Sequence, residues 1–185
     1  MSTTEASSHG ALRMRARRAY ELGRIAHGAK CLWLALPMLL LGLAVSTRPL
    51  LSWAAGLGLL ALAVGLRWSG GAVGRAVMPA LIAGLPPLVL PLWMRADGHC
   101  CVGGMCWSLC MVGCVVGGVC AGAMVGLAST AEREQRGAFL LAATAIAGLA
   151  GVLGCALAGS SGMAGMALAV LATSWPVALL ARARA

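Results

Sequence analysis

Charge is scarce in this chain. Only 10% of its 185 residues are charged, five are acidic, and Lys30 is the single lysine. A water-soluble domain of this size needs far more polar surface, so the composition excludes one. None of the five acids falls inside an apolar run: Glu5, Glu21, Asp97, Glu132 and Glu134 lie in the tail or between runs. Ion-coupled carriers usually place carboxylates within the membrane, and here there are none to use. Catalytic motifs are missing too. There is no C-x-x-C pair of the kind that lowers a thiol pKa in oxidoreductases. There is also no phosphate loop, no Ser-His-Asp arrangement, no H-E-x-x-H and no nucleic-acid module. These absences argue against an enzyme and against nucleic acid as a partner.

What the chain does have is hydrocarbon. It is 61% hydrophobic with a mean hydropathy of +0.91. Six apolar runs, at 31–46, 50–66, 77–94, 101–128, 138–158 and 163–180, each approach the ~20 residues that cross a bilayer. The expected fold is all-α, a polytopic membrane bundle of six transmembrane helices. Residues 1–30 form a basic tail, 31–180 the transmembrane domain, and 181–185 a short basic end. The abundance of Ala, Gly and Leu fits a GC-rich bacterial genome, and the expected location is the bacterial inner membrane.

Arginine sets the orientation. Arg13, Arg15, Arg17, Arg18, Arg24 and Lys30 precede the first run, and Arg67 and Arg75 separate the second from the third. Arg133 and Arg136 separate the fourth from the fifth, and Arg182 and Arg184 follow the sixth. The alternate loops carry only Arg48 and Arg95. Twelve of the fourteen cations thus fall on one side, which by the positive-inside rule puts both termini in the cytoplasm. Trp33, Trp53, Trp68 and Trp93 fall near run ends, where an indole keeps its N–H among headgroups, whereas Trp107 and Trp175 sit deeper and are expected to pack between helices. A cleaved signal peptide is the competing view of the N-terminus, since Ala44-Val45-Ser46 loosely fits a cleavage site. The residues before the first run are too many for an ordinary n-region.

Residues 1–10 are Ser/Thr-rich and are expected to be disordered. Residues 11–30, ALRMRARRAYELGRIAHGAK, are helix formers with Leu12, Ala19, Leu22, Ala26 and Ala29 along one side. They suit an interfacial helix on anionic lipid or a docking segment for a cytoplasmic protein partner. The third run holds Pro79, Pro86, Pro87 and Pro91, which predict a kinked or partly unwound helix.

Soft chemistry is concentrated in one place. The stretch DGHCCVGGMCWSLCMVGCVVGGVC, from Asp97 to Cys120, holds six of the eight cysteines and His99. Cys106, Cys110 and Cys114 recur at i, i+4 and i+8 and share a helix face, with Cys120 about 40° beyond Cys106 on its far side. In the assigned orientation His99, Cys100 and Cys101 lie at the outer mouth, and Cys155 is expected at the depth of Cys101–Cys106. Cys31 is alone at the cytoplasmic end.

Three readings remain open. In the first, cysteine serves as a small polarizable hydrophobe, beside the close-packing glycines 113, 117, 118, 122 and 126. In the second, His99, Cys100, Cys101 and Cys106, with Cys110 or Cys155, hold a soft metal such as Cu or Zn. In the third, Cys100 or Cys101 pairs with Cys106 or Cys155 as a redox switch in an oxidising compartment. The expected function is therefore a membrane sensor or regulator acting through this external cluster. The alternatives are a soft-metal carrier of the Cu/Zn/Hg type and a structural subunit without a site. The layout resembles bacterial membrane anti-sigma factors in outline only, and no residue role carries over.

Overall fold

An apolar run in a membrane must satisfy its own N–H and C=O groups, and a helix does so within one segment. The computed structural model describes residues 3–46, 49–96, 106–132, 134–155 and 159–183, and every regular element in them is helical. In order these are α1 (Thr3–Val45), α2 (Pro49–Ser69), α3 (Gly71–Ala83), α4 (Leu85–Ala96), α5 (Cys106–Ala128), a 3-10 turn (Ser129–Ala131), α6 (Arg136–Cys155) and α7 (Gly159–Ala183). Five stretches are long and apolar enough to cross a membrane: Pro49–Ser69, Gly71–Met94, Met111–Ala131, Arg136–Cys155 and Gly162–Ala183. A sixth, Gly28–Ala44, is shorter and belongs to α1. The chain is a multi-helix bundle compatible with a multi-pass membrane protein.

The N-terminal segment departs from expectation. The helix starts at Thr3, where disorder was expected, and runs unbroken to Val45. Helix growth is cooperative, so the strong helix formers after residue 10 extend it backwards. The basic segment is thus continuous with the apolar part of α1 and not a separate helix. Ala19, Ala26 and Ala29 are as exposed as Arg15, Arg18 and Lys30, so this side does not pack on the bundle.

The third apolar run is broken, and the place of the break is Gly84. Pro86 and Pro87 have no N–H, so they occupy the first turn of a new helix, where no intrahelical donor is needed. Gly84 closes the preceding helix by donating to the carbonyls of Ala80 (2.9 Å) and Leu81 (3.2 Å). Pro91, inside α4, removes a further donor, leaving the Pro87 carbonyl without its usual partner at position 91. Between α2 and α3 the chain reverses through Gly70 and Gly71, whose φ values of 74° and 61° favour glycine.

Glycines set the helix spacing. A Cβ on Gly117 would come within 2.6 Å of Pro87 Cα, and one on Gly154 within 2.5 Å of Pro87 O. α4 is therefore wedged between α5 and α6 at backbone contact. Along α5, Gly118 meets Met166 and Ala169, Gly122 meets Val170, and Gly126 meets Ser174 and Val177. The contacts advance in the same direction on both helices, so α5 and α7 run parallel, and they share the most extensive interface in the bundle. Close backbone approach through small residues is the usual means of helix association where hydrophobic drive is absent.

Cations gather at one end. Arg75 of α3 makes a two-armed ion pair with Glu132, Nη2 to Oε2 at 2.9 Å. Arg67 donates to the Gly74 carbonyl (2.9 Å), and Arg136 donates to the carbonyls of Ser129 (3.1 Å) and Ala178 (3.2 Å). Arg136 thereby ties the start of α6 to the end of α7. The tryptophans divide differently from expectation in one case. Trp33, Trp53, Trp68 and Trp93 are exposed on the bundle surface, but so is Trp175, which does not pack between helices. The side chain of Trp107 lies outside the described residues.

Candidate functional site

The junction of α4, α5 and α6 brings two cysteines together. Cys114 is the ninth residue of α5 and Cys155 the last of α6; both are fully buried. Their thiols are hydrogen-bonded to each other. Neither forms a disulfide. Position follows from the neighbouring glycines: Gly117 and Gly154 let α4 seat Pro87 against both helices, which fixes how far α6 reaches along α5. Cys114 lies fifteen residues before Ser129, so the pair stands about 22 Å from the arginine-bearing end.

This placement corrects the expected height of Cys155. It meets Cys114, two turns further along α5 than Cys106. Distance from the ends of the apolar runs does not give this height, which is set by where Pro87 of α4 seats against Gly117 and Gly154. Cys106 and Cys110 lie in the first two turns of α5, but their side chains, together with His99, Cys100 and Cys101, lie outside the described residues.

The remaining thiols do not extend the pair. Cys120 is exposed, on a different side of α5 from buried Cys114. Geometry explains this: six residues turn the helix through 600°, leaving the two directions about 120° apart. Cys31 is buried near the arginine end, where its thiol donates to the Gly28 carbonyl at 2.8 Å and feels the charge of Arg67. Among the described residues no three His, Cys, Asp or Glu side chains converge as a metal group.

Sulfur of another kind lies nearby. Met94 Sδ would stand 2.9 Å from a Cβ on Gly113, the neighbour of Cys114, and Met166 Sδ 2.7 Å from a Cβ on Gly151, one turn before Cys155. Sequence reasoning passed over both methionines and left Cys114 out of the candidate metal set. The available signal was the register of Cys114 with Gly117 and Gly118, which marks a face where another helix comes close. What the junction offers chemically is a dry pair of soft nucleophiles flanked by thioethers, with no acid or base beside them among the described residues.

No family model, no curated protein and no solved structure matches the chain.

Proposed function

We propose that the chain is a six-span protein of the bacterial inner membrane, with both termini in the cytoplasm, that acts as a sensor or regulator and not as an enzyme. Its signal would be soft-metal binding or thiol oxidation at the external cluster of His99, Cys100, Cys101 and Cys106, with Cys110 in support. Its output would pass to a cytoplasmic protein through residues 11–30.

The observation that carries this reading is the contact between Cys114 and Cys155. It joins the helix that begins with the cysteine stretch to a second helix, so a change at the cluster has a direct mechanical partner in α6. The orientation rests on the arginine distribution, together with the collection of Arg67, Arg75 and Arg136 at one end of the bundle. With that end inside, ~30 Å of hydrocarbon places the pair roughly 8 Å beneath the outer boundary. The soft-metal carrier draws no support from Cys120, which is exposed on a different side of α5 from the pair.

The test is metal analysis of the purified protein, with thiols counted under reducing and non-reducing conditions, in the wild type and in a Cys100→Ser, Cys101→Ser, Cys106→Ser variant. A sensor loses its metal or its redox-dependent thiol count in the variant. An unchanged profile in the triple variant would refute the reading.

A further inference from the structure

Three helices bring sulfur to adjacent turns of the bundle. Cys114 and Cys155 come from α5 and α6. Met166 comes from α7 and is likewise fully buried. Its Sδ packs on Gly151, one turn from Cys155 on the same face of α6, and its backbone lies against Gly118, one turn from Cys114 on α5. One helical turn is a rise of about 5.4 Å, and methionine's three rotatable bonds let its thioether move over that range.

Charge selects among possible ligands for such a site. No carboxylate or imidazole joins these sulfurs among the described residues, and a net charge in a dry apolar core is expensive. Zinc is a poor fit, since its structural sites take four ligands from Cys, His or carboxylates. A soft monovalent ion is a good one. One thiolate balances it, while the second thiol and the thioether bind as neutral donors, and thiolate with thioether is the donor set that selects Cu(I).

We propose that Cys114, Cys155 and Met166 form a binding site for one soft monovalent cation of the Cu(I) or Ag(I) class. Binding replaces one thiol proton by the metal: the S–H bond breaks, an S–metal bond forms, and the proton leaves to solvent. Nothing is oxidised or reduced. For its biological use the site rests on the sensor reading, as an inner seat for the ion, but it uses residues distinct from the outer cluster.

The experiment uses the full-length protein in nanodiscs, reduced and then titrated with Cu(I) against a chromophoric Cu(I) chelator. The starting variant carries His99→Ala, Cys100→Ser, Cys101→Ser, Cys106→Ser and Cys110→Ser, which removes the outer cluster. It is expected to retain one equivalent of Cu(I). Adding Cys114→Ser or Cys155→Ser should weaken binding by more than the roughly 10–100-fold that loss of an outer-shell partner costs. Met166→Leu, which conserves volume, should weaken it by about tenfold, in the range of an indirect partner or a weak ligand. Helical circular dichroism and thermal unfolding show that each variant is folded. Failure of the cluster-free variant to bind Cu(I), or equal affinity with and without Cys114 and Cys155, overturns the site. The same holds if an added oxidant cross-links Cys114 to Cys155 while the reduced protein takes up no ion. An active outer cluster with an empty inner site would leave the sensor reading standing, and the reverse result would leave only the inner site.

Discussion

The wedge of α4 between α5 and α6 makes a sharp prediction about a single methyl group. In Gly117→Ala the new Cβ would meet Pro87 Cα at 2.6 Å, and van der Waals contact begins near 3.4 Å. The obstacle is backbone, so no side chain can rotate away, and α4 must retreat by about 0.8 Å. Overpacking of this kind costs about 1–3 kcal/mol. It is offset in part by the better helix propensity of alanine, up to about 1 kcal/mol. Gly148 on α6 provides the control, because nothing lies within 4 Å of a Cβ there. Gly148→Ala should therefore be neutral or stabilise by up to ~1 kcal/mol, while Gly117→Ala loses about 1–2 kcal/mol. The measurement is reversible unfolding in mixed micelles with increasing SDS. Helix content and the thiol reactivity of Cys114, which is buried in the native bundle, serve as independent probes. Gly117→Ala should also raise the native-state reactivity of Cys114, since Gly117 is less than a turn away. If Gly117→Ala is as stable as Gly148→Ala, the backbone contact with Pro87 is wrong, and with it the register of α5 against α6.

Other expectations follow from individual contacts. In a variant keeping only Cys114 and Cys155, mild oxidation should cross-link α5 to α6, so that the halves of a chain cleaved at 133–135 separate only after reduction; separation without reductant would contradict the contact. Arg75→Ala should cost little, and less still at high salt, because the arginine side chain is 66% exposed and such pairs are weak. Arg136→Ala should cost more, about 1.5–3 kcal/mol, through lost charged hydrogen bonds to Ser129 and Ala178; equal losses for the two arginines would refute this ranking. Trp33, 85% exposed, should be strongly quenched by brominated lipid in a variant that keeps it as the sole tryptophan.

The apolar runs were legible as helices because backbone hydrogen bonding leaves so little choice in hydrocarbon. The run at 50–66 became α2, and the run at 77–94 became α3 and α4. Prolines at 86 and 87 announced a break, but its location at Gly84 needed the rule that proline is welcome in a first turn. The candidate site was legible only as residue types. Heights along neighbouring helices are set by what fits between them. Nothing in the sequence of α6 says that Pro87 will seat against Gly154 and bring Cys155 to Cys114. Trp175 was misread because depth along a helix does not reveal which side faces neighbours.

The proline at 91 and the glycine at 154 bear on one carbonyl oxygen, although they are far apart in the chain. Pro91 denies the Pro87 oxygen its amide, and Gly154 leaves that oxygen a space no larger side chain would allow. Restoring an amide at 91 would draw the oxygen back into its own helix but would not make a methyl at 154 tolerable, because Leu88 Cα would still stand 2.7 Å from it. Two successive residues of α4 thus close position 154 to any larger residue, and relaxing one of them leaves it closed.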